Sequence, residues 1–393
     1  MVVPKKESKK LRVFVGMSGG VDSSVSAALL KEAGFDVTGV FIKVWKPEYI
    51  DCGWKEDRFD AMRVCAKLDV PFLTLNLENE YKKDVVDYMI AEYKAGRTPN
   101  PDVMCNKYIK FGGFFKKAME LGADYVATGH YARVELSRVE SLKPTCADRS
   151  KVKSGEKKKE EKEIFNLLAG KDGNKDQSYF LWILTQKELS KTLFPVGDLE
   201  KPEVRKLAIK YDLVNATKKD SQGLCFMGKV DVKDFLKKYI KEKEGDVINE
   251  KGEKIGRHSG VFYFTLGERH GFKITKKTPN DKPYYIIAKD FDKNTLTVSQ
   301  DIEKIKNENS KKILLKNVNL ISGDIEENKM YQARIRYRQP LEPCSIVKSR
   351  KSKGKRGERE IELHFANPQK SVTPGQSAVI YDREVCLGGG IIE

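Results

Sequence analysis

The sequence predicts an α/β protein: a doubly wound parallel sheet, then a small central domain, then a C-terminal β-barrel. Three observations predict it. An apolar, β-branched stretch at Arg12–Met17 runs through a Gly-Ser turn into a helical run at Val25–Ala33. Strand-like and helix-like segments then alternate to about residue 220, the rhythm of a parallel sheet covered on both faces. From about Tyr284 onward short alternating strands follow one another, the rhythm of a barrel. At 393 residues the chain is too long for one ordinary core. It divides into a catalytic domain over 1–220, a central domain over 221–283 and a barrel over 284–393.

The elements justify themselves in order. Val13-Phe14-Val15 reads as a buried strand, and Gly19 and Gly20 in Ser18-Gly19-Gly20-Val21-Asp22-Ser23-Ser24 let backbone N–H groups approach an anion. Ser23 or Ser24 is expected to cap the helix that follows. Neither a Walker string nor a G-x-G-x-x-G spacing is present. Val37–Trp45 is a second strand, which brings Phe41 and Ile42 near a ligand held by that loop. Arg58–Leu68 carries Phe59, Met62, Cys65 and Ala66 at helical spacing, so this face is expected in the core. Phe72–Leu77, Tyr81–Ala95, Phe114–Glu120 and Asp124–Thr128 continue the alternation, and Gln186–Leu193 and Pro202–Tyr211 are its closing helices. Tyr284–Ala288 and Leu296–Ser299 are expected to open the barrel.

Between two of these helices, Gly96–Lys107 contains two prolines that break the helix and stiffen a loop. That loop presents Asp102 and Cys105 three residues apart. Lys107 or Arg97 is placed to activate the thiol, and Asp102 to move protons. An ordered surface loop with an incidental cysteine is the plainer alternative.

Composition narrows the class. The balance of 74 Lys and Arg against 57 Asp and Glu gives a net charge of +17, which favours a polyanionic partner and equally suits a lysine-rich solvated surface. Seven cysteines without a C-x-x-C pair argue for a reducing cytoplasm and against a zinc or cluster site. Met1–Lys10 is too polar for a leader or a membrane span. Two charged inserts interrupt the pattern. Leu136–Glu163, which holds Cys146, is expected to be a flexible extension between strands Tyr131–Glu135 and Ile164–Leu168. Lys348–Arg359, with seven basic residues and one acid, is expected to be a basic hairpin tip.

The Ser18–Ser24 string resembles the loop of the PP-loop ATP pyrophosphatases, which have the adenine nucleotide alpha hydrolase-like fold and cleave ATP between its α and β phosphates. Longer strings resemble the tRNA-specific 2-thiouridylase family: AEYKAGRTPNPDVMCNKYIKF at 91–111, DYVATGHYAR at 124–133, NKDQSYFL at 174–181, LFPVGDLEKPEVR at 193–205, KDSQGLCFMG at 219–228, RYRQ at 336–339, and 373–393. That resemblance implies ATP-dependent 2-thiolation of the wobble uridine of tRNA, with AMP and pyrophosphate released. It implies nucleotide binding by Gly16, Met17, Ser18, Gly19, Gly20, Val21, Asp22, Ser23, Ser24, Ile42 and Gly129. At Ile42 the family often has methionine. Asp22, a hard carboxylate ligand, is suited to Mg²⁺.

The same resemblance implies that Cys225 carries sulfur as a persulfide. Cys105 then assists release, through a transient Cys105–Cys225 disulfide or by freeing hydrosulfide, and Asp102 is the acid/base. It implies that Asn100, Pro101 and Asp102 hold the flipped base, and that His130, Lys175, Asp176, Gln177, Arg336, Tyr337 and Gln376 touch the anticodon region of the tRNA. The implied partners are tRNA and an upstream sulfur-donor protein, with the enzyme a cytoplasmic monomer. The alternatives are another PP-loop adenylating enzyme, which would not need both cysteines, and a non-catalytic tRNA-binding or sulfur-carrier protein, against which an intact Asp22 counts.

Overall fold

The computed structural model describes residues 10–49, 53–142, 159–220, 223, 225–226, 228, 231–305, 308–323, 325–351 and 359–393. The first sheet begins with β1 (Arg12–Met17), β2 (Asp36–Lys43), β3 (Phe72–Asn76) and β4 (Tyr125–Ala127). The hairpin β5 (Ala132–Leu142) and β6 (Lys159–Ala169) follows, and then β7 (Thr192–Leu193). The order β3-β2-β1-β4-β7 is parallel throughout. Successive side chains of β1 serve opposite faces: Val13 and Val15 pack with Val25, Val64 and Val204, whereas Phe14 packs with Val85, Ile109 and Phe114. Both faces are therefore dry, as a doubly wound sheet requires, and its strand ends open on the site.

The helices depart from expectation in instructive ways. Helix α1 (Val21–Glu32) starts before Val25, so the phosphate-loop string itself supplies its first turn. Its N-cap is Gly20, and neither serine caps it: Ser23 Oγ and Ser24 Oγ donate back to Gly20 O at 3.1 and 2.9 Å. Helix α2 (Trp54–Lys67) buries Ala61, Val64 and Cys65 but leaves Phe59 47% and Met62 37% exposed. The buried face is thus rotated from the one predicted: it runs through Ala61, Val64 and Cys65, with the Cys65 sulfur packed over Gly39 of β2.

The loop expected at Gly96–Lys107 ends at Asn100. A helical run occupies 101–120 without interruption, as α-helix Pro101–Met104, π-helix Cys105–Phe114 and α-helix Phe115–Glu120. Pro101 takes the first helical position, where no N–H is needed, and Asn100 Oδ1 caps Val103 N. The expected helix Gln186–Leu193 also stops early, at Leu189, since Thr192 and Leu193 pair with Val126 and Ala127.

The central sheet contains β8 (Gly245–Ile248), β9 (Lys254–His258), β10 (Lys273–Ile274), β11 (Tyr285–Asp290) and β12 (Thr295–Ser299), ordered β10-β9-β8-β12-β11. The two strands expected to open the barrel at 284 therefore belong here: β12 pairs with β8, and β11 with β12. Alternation alone does not say which sheet a strand joins.

The barrel consists of β13 (Lys312–Leu320), β14 (Met330–Arg334), β15 (Glu342–Lys351), β16 (Arg359–Phe365), β17 (Ser377–Asp382) and β18 (Val385–Ile392), closed by β13 pairing with both β16 and β18. Cys344 is buried inside it. Strands β5 and β6 reach into the expected insert as far as Leu142 and from Lys159, and Cys146 lies outside the described residues. The basic tip is likewise outside them at 352–358, flanked by β15 and β16. On the other side, β6 pairs Leu167 and Leu168 with Cys386 and Val385, so the hairpin extends the barrel sheet. No helix among the described residues is long and apolar enough to cross a membrane.

Candidate active site

One cavity of about 870 Å³ opens above the carboxyl ends of β1, β2 and β4. The phosphate loop forms its floor. Ser18 N and Ser18 Oγ each lie 3.2 Å from Ser23 Oγ, and Asn215 Nδ2 donates to Gly19 O and Ser24 Oγ at 2.9 Å. Gly19 has φ +76, and a Cβ there would lie 2.3 Å from Asp57 O. We expect Gly19→Ala to lose at least about 1–3 kcal/mol, as forbidden backbone and overpacking combine. A melting curve with and without ATP checks this; an unchanged Tm would refute the loop's tight approach to α2. Gly129 is equally constrained, its missing Cβ leaving space 2.6 Å from Ser23 N.

Gly16, Met17, Ser18, Gly20, Val21, Asp22, Ser23, Ile42 and Gly129 line the cavity. Gly19 and Ser24 do not, because the first turns toward Asp57 and the second is buried behind the loop against Asn215. Asp22 is not bare: its Oδ1 accepts from Tyr131 OH at 2.8 Å and from Lys201 Nζ at 2.6 Å. Lys201 also pairs with Asp220 at 2.9 Å, and Asp220 receives Lys175 at 2.6 Å and Arg205 at 2.8 Å. Burial opposes ionisation of Asp220, yet bonds from Lys175 and Lys201 outweigh it and hold its pKa at about 2. An ionic chain thus joins the phosphate loop to the segment leading to Cys225.

Cys225 and Cys105 are 120 residues apart, yet their sulfurs lie 3.2 Å from one another, beyond the ~2.05 Å of a covalent bond. Cys105 is fully buried and donates its S–H, whereas Cys225 is half-buried and faces the cavity. That bond from Cys105 lowers the pKa of Cys225, burial opposes it, and the Lys110 ammonium lowers it further. Burial drives the Cys105 pKa well above the thiol range. Of the pair, Cys225 is therefore the more readily ionised. Because its pKa is depressed, Cys225 should alkylate at lower pH than an ordinary thiol, and Cys105 only at higher pH. Iodoacetamide labelling with peptide mapping checks this, and preferential labelling of Cys105 would contradict it.

Asp102 Oδ1 accepts the Cys225 N–H at 3.0 Å, and burial raises its pKa. Tyr81 OH donates to Cys225 O at 2.7 Å. The expected activators of Cys105 are elsewhere: Arg97 forks onto Glu92 at 2.6 Å, and Lys107 lies over the Tyr108 ring. Lys110 takes their place, with its ammonium 3.2 Å from His130 Nε2. Burial first, and Lys110 second, keep His130 well below its usual pKa, hence neutral.

Among the expected tRNA-contacting residues, Asp102, His130, Lys175, Gln177 and Tyr337 line the cavity. The others do not. Asn100 and Pro101 start the helix. Asp176 is 4% exposed and accepts Gly170 N and Ser178 N, with Arg334 at 3.5 Å. Arg336 donates to Leu266 O and Thr373 Oγ1, and Gln376 donates to Thr98 O and Pro99 O. Asp176, Arg336 and Gln376 thus link the domains around the site, whereas Asn100 and Pro101 set the start of the helix that carries Asp102 and Cys105. Residues not anticipated include Lys110, Tyr131, Lys201, Asp220, Phe180 and Arg338. Phe180 and Tyr337 form an aromatic ledge, centroids 4.5 Å apart, with Arg338 over Tyr337 at 5.2 Å. The strings around 131, 201 and 220 held these residues, but their types alone assign no role.

A Gly-Ser loop at the carboxyl ends of a parallel sheet, a bridged carboxylate at the first turn of the following helix and a thiol pair beside one cavity define the class: an α/β protein of the HUP-domain type with a central domain and a β-barrel. Family models agree in class: a tRNA methyl transferase HUP domain matches residues 11–229, a tRNA methyl transferase PRC-barrel domain matches 233–300, and an aminomethyltransferase beta-barrel domain matches 310–392.

Full-length relatives are more specific. The tRNA-specific 2-thiouridylase MnmA of Pseudomonas entomophila is 43% identical over 99% of this chain and 96% of its own. That of Streptococcus thermophilus is 43% identical over 98% and 96%, and that of Psychrobacter cryohalolentis 45% over 97% and 90%. The chain belongs to the tRNA-specific 2-thiouridylase family.

Proposed function

We propose that this protein uses ATP to adenylate the C2 oxygen of the wobble uridine of tRNA and replaces that oxygen with sulfur delivered by Cys225. The observation that carries the reading is the thiol pair, 3.2 Å apart, in which Cys225 lines the same cavity as the phosphate loop and Cys105 lies buried behind it. A uracil carbonyl oxygen is a poor leaving group until it is esterified to phosphate. The O2 oxygen attacks the α-phosphorus of ATP and pyrophosphate departs. The unpaired N–H groups of α1 and the cations around Asp22 receive the phosphates.

Magnesium fits this floor. Asp22 offers a carboxylate, and Mg²⁺ usually takes one or two of these and completes its shell with phosphate and water. No group of three or more His, Cys, Asp or Glu among the described residues makes a larger cage.

The terminal sulfur of a Cys225 persulfide then attacks C2, the C2–S bond forms, and AMP leaves. Cys105, giving up its proton, attacks the Cys225 sulfur. The S–S bond to the base breaks with its electron pair going to the base sulfur, and a Cys105–Cys225 disulfide remains for an external dithiol to reduce. In the hydrosulfide variant Cys105, giving up its proton, attacks the inner Cys225 sulfur first; the persulfide S–S bond breaks with its electron pair going to the outer sulfur, the freed hydrosulfide attacks C2 as AMP leaves, and the same Cys105–Cys225 disulfide remains. Asp102 moves protons in either, and its bond to the Cys225 N–H fixes the sulfur carrier.

The cavity's cations, Lys43, Lys46, Lys110, Lys175, Lys219 and Arg338, suit an anticodon loop, and the Phe180–Tyr337 ledge suits an unstacked base. Sulfur arrives from an upstream donor protein. Five free cysteines among the described residues suit a reducing cytoplasm, and the protein acts as a monomer.

The family-model descriptions speak of methyl transfer, but methyl transfer gives no work to two apposed thiols. The test is tRNA-stimulated pyrophosphate exchange with mass spectrometry of the product for 2-thiouridine. Folded protein that fails to exchange overturns the enzyme reading, and exchange without sulfur incorporation would favour another adenylating activity.

A further inference from the structure

We propose that Lys110 is the counter-ion of the sulfur on Cys225, set there by the π-helical stretch Cys105–Phe114. The inference rests on the reading of Cys225 as the sulfur carrier. In an α-helix five residues turn about 500°, which would leave Lys110 about 140° around the axis from Cys105. A π-helix closes its hydrogen bonds at i+5 instead, so residue 110 comes over residue 105. The wide turn therefore brings together a thiol and an ammonium that 3.6-residue periodicity would separate.

The ammonium is held on its far side. Lys110 Nζ lies 3.2 Å from His130 Nε2, while His130 Nδ1 lies 2.7 Å from Thr128 Oγ1. With His130 neutral, Nε2 accepts from the ammonium and Nδ1–H donates to threonine. Phe111 and Phe194 flank the ring with centroids 6.1 Å away, which fixes its direction. A neutral imidazole accepts one proton of the ammonium and takes none of its charge. The remaining donors stay available to sulfur: the i+5 turn sets Lys110 over Cys105, whose sulfur lies 3.2 Å from that of Cys225, and Lys110 and Cys225 line the same cavity.

The other groups facing Cys225 do not substitute for it. Cys105 supplies one S–H bond without charge, Asp102 is a carboxyl engaged with the Cys225 N–H and offers no positive charge, and the Tyr81 hydroxyl is turned to the backbone carbonyl. The Lys110 ammonium also sits 5.7 Å from the Phe226 ring centroid, on the apolar side of the pocket. Lys110 is thus the cation that faces both the sulfur and the cavity where the base must enter. A persulfide's outer sulfur is anionic at neutral pH, so the same ammonium neutralises it while it waits for the adenylated base.

The test follows Cys225 alkylation by iodoacetamide against pH, with peptide mapping, in the full chain and in Lys110→Met, Lys110→Gln and Lys110→Arg. Loss of an opposite charge at this range moves a pKa by about 1–3 units. The Met and Gln variants should therefore shift the half-maximal pH upward by about one unit or more and slow labelling at pH 7 about tenfold, while Lys110→Arg stays near wild type. Circular dichroism selects the folded variants, and Gln serves if Met does not fold. A profile in either folded neutral variant that coincides with wild type overturns the proposal. So does an Arg variant as impaired as the neutral ones, which would indicate packing rather than charge. The assay uses neither ATP nor tRNA, so failed pyrophosphate exchange would sink the enzyme reading without deciding this one.

Discussion

Replacing Cys225 with serine is expected to abolish 2-thiouridine formation, by about 10³-fold or more, while tRNA binding and tRNA-dependent pyrophosphate release persist. The separation follows from the geometry. Cys225 is tied down through its backbone, its N–H to Asp102 and its carbonyl to Tyr81, and serine keeps both bonds. What disappears is the one atom able to form an S–S bond with incoming sulfur. The phosphate loop, held by Ser18, Ser23 and Asn215, does not depend on that atom. Mass spectrometry of modified nucleosides and a filter-binding measurement on the same preparation decide the outcome. Parallel loss of tRNA binding would reduce Cys225 to a structural residue.

Asp22→Ala should give the mirror-image defect. Pyrophosphate release should fall about 10²-fold or more, because a charge aimed at the developing phosphate chemistry is removed. Cys225 should still load with sulfur and keep its alkylation profile. The alanine leaves Tyr131 OH without its acceptor and leaves Lys201 with Asp220 alone. Asp22→Asn distinguishes the two contributions, since it can still accept from Tyr131 but carries no charge. Single-turnover adenylation and persulfide trapping are the measurements. Loss of both functions in Asp22→Ala would mean that the carboxylate holds the domain together rather than serving the nucleotide.

Most of the nucleotide half was legible from residue types. Val13-Phe14-Val15, two glycines and the following helix have a local physical meaning that needs no partner, and the structure adds mainly that the helix starts at Val21. The approach of Cys105 to Cys225 was legible only through resemblance, because nothing in their spacing announces a 3.2 Å separation. Lys110 was missed for a definite reason: neighbours in sequence were preferred, and the π-helical turn overrides both nearness and α periodicity. Lys201 and Asp220 were invisible as a bridge because ion pairs between distant segments leave no local pattern. The displacement of β11 and β12 into the central sheet has the same origin, as alternation specifies a strand but not its neighbour.

The hairpin that extends the barrel sheet bears on how the protein is made. Strand β6 pairs with β18, the final strand, across more than half the sequence. During synthesis the first domain can collapse early, but this edge stays unpaired until β18 has been made. Such a long-range pairing slows the concluding step, and an open edge in the interval is a target for chaperones or for a neighbouring nascent chain. Truncations that remove only β18 should therefore harm yield far more than their distance from the cavity implies.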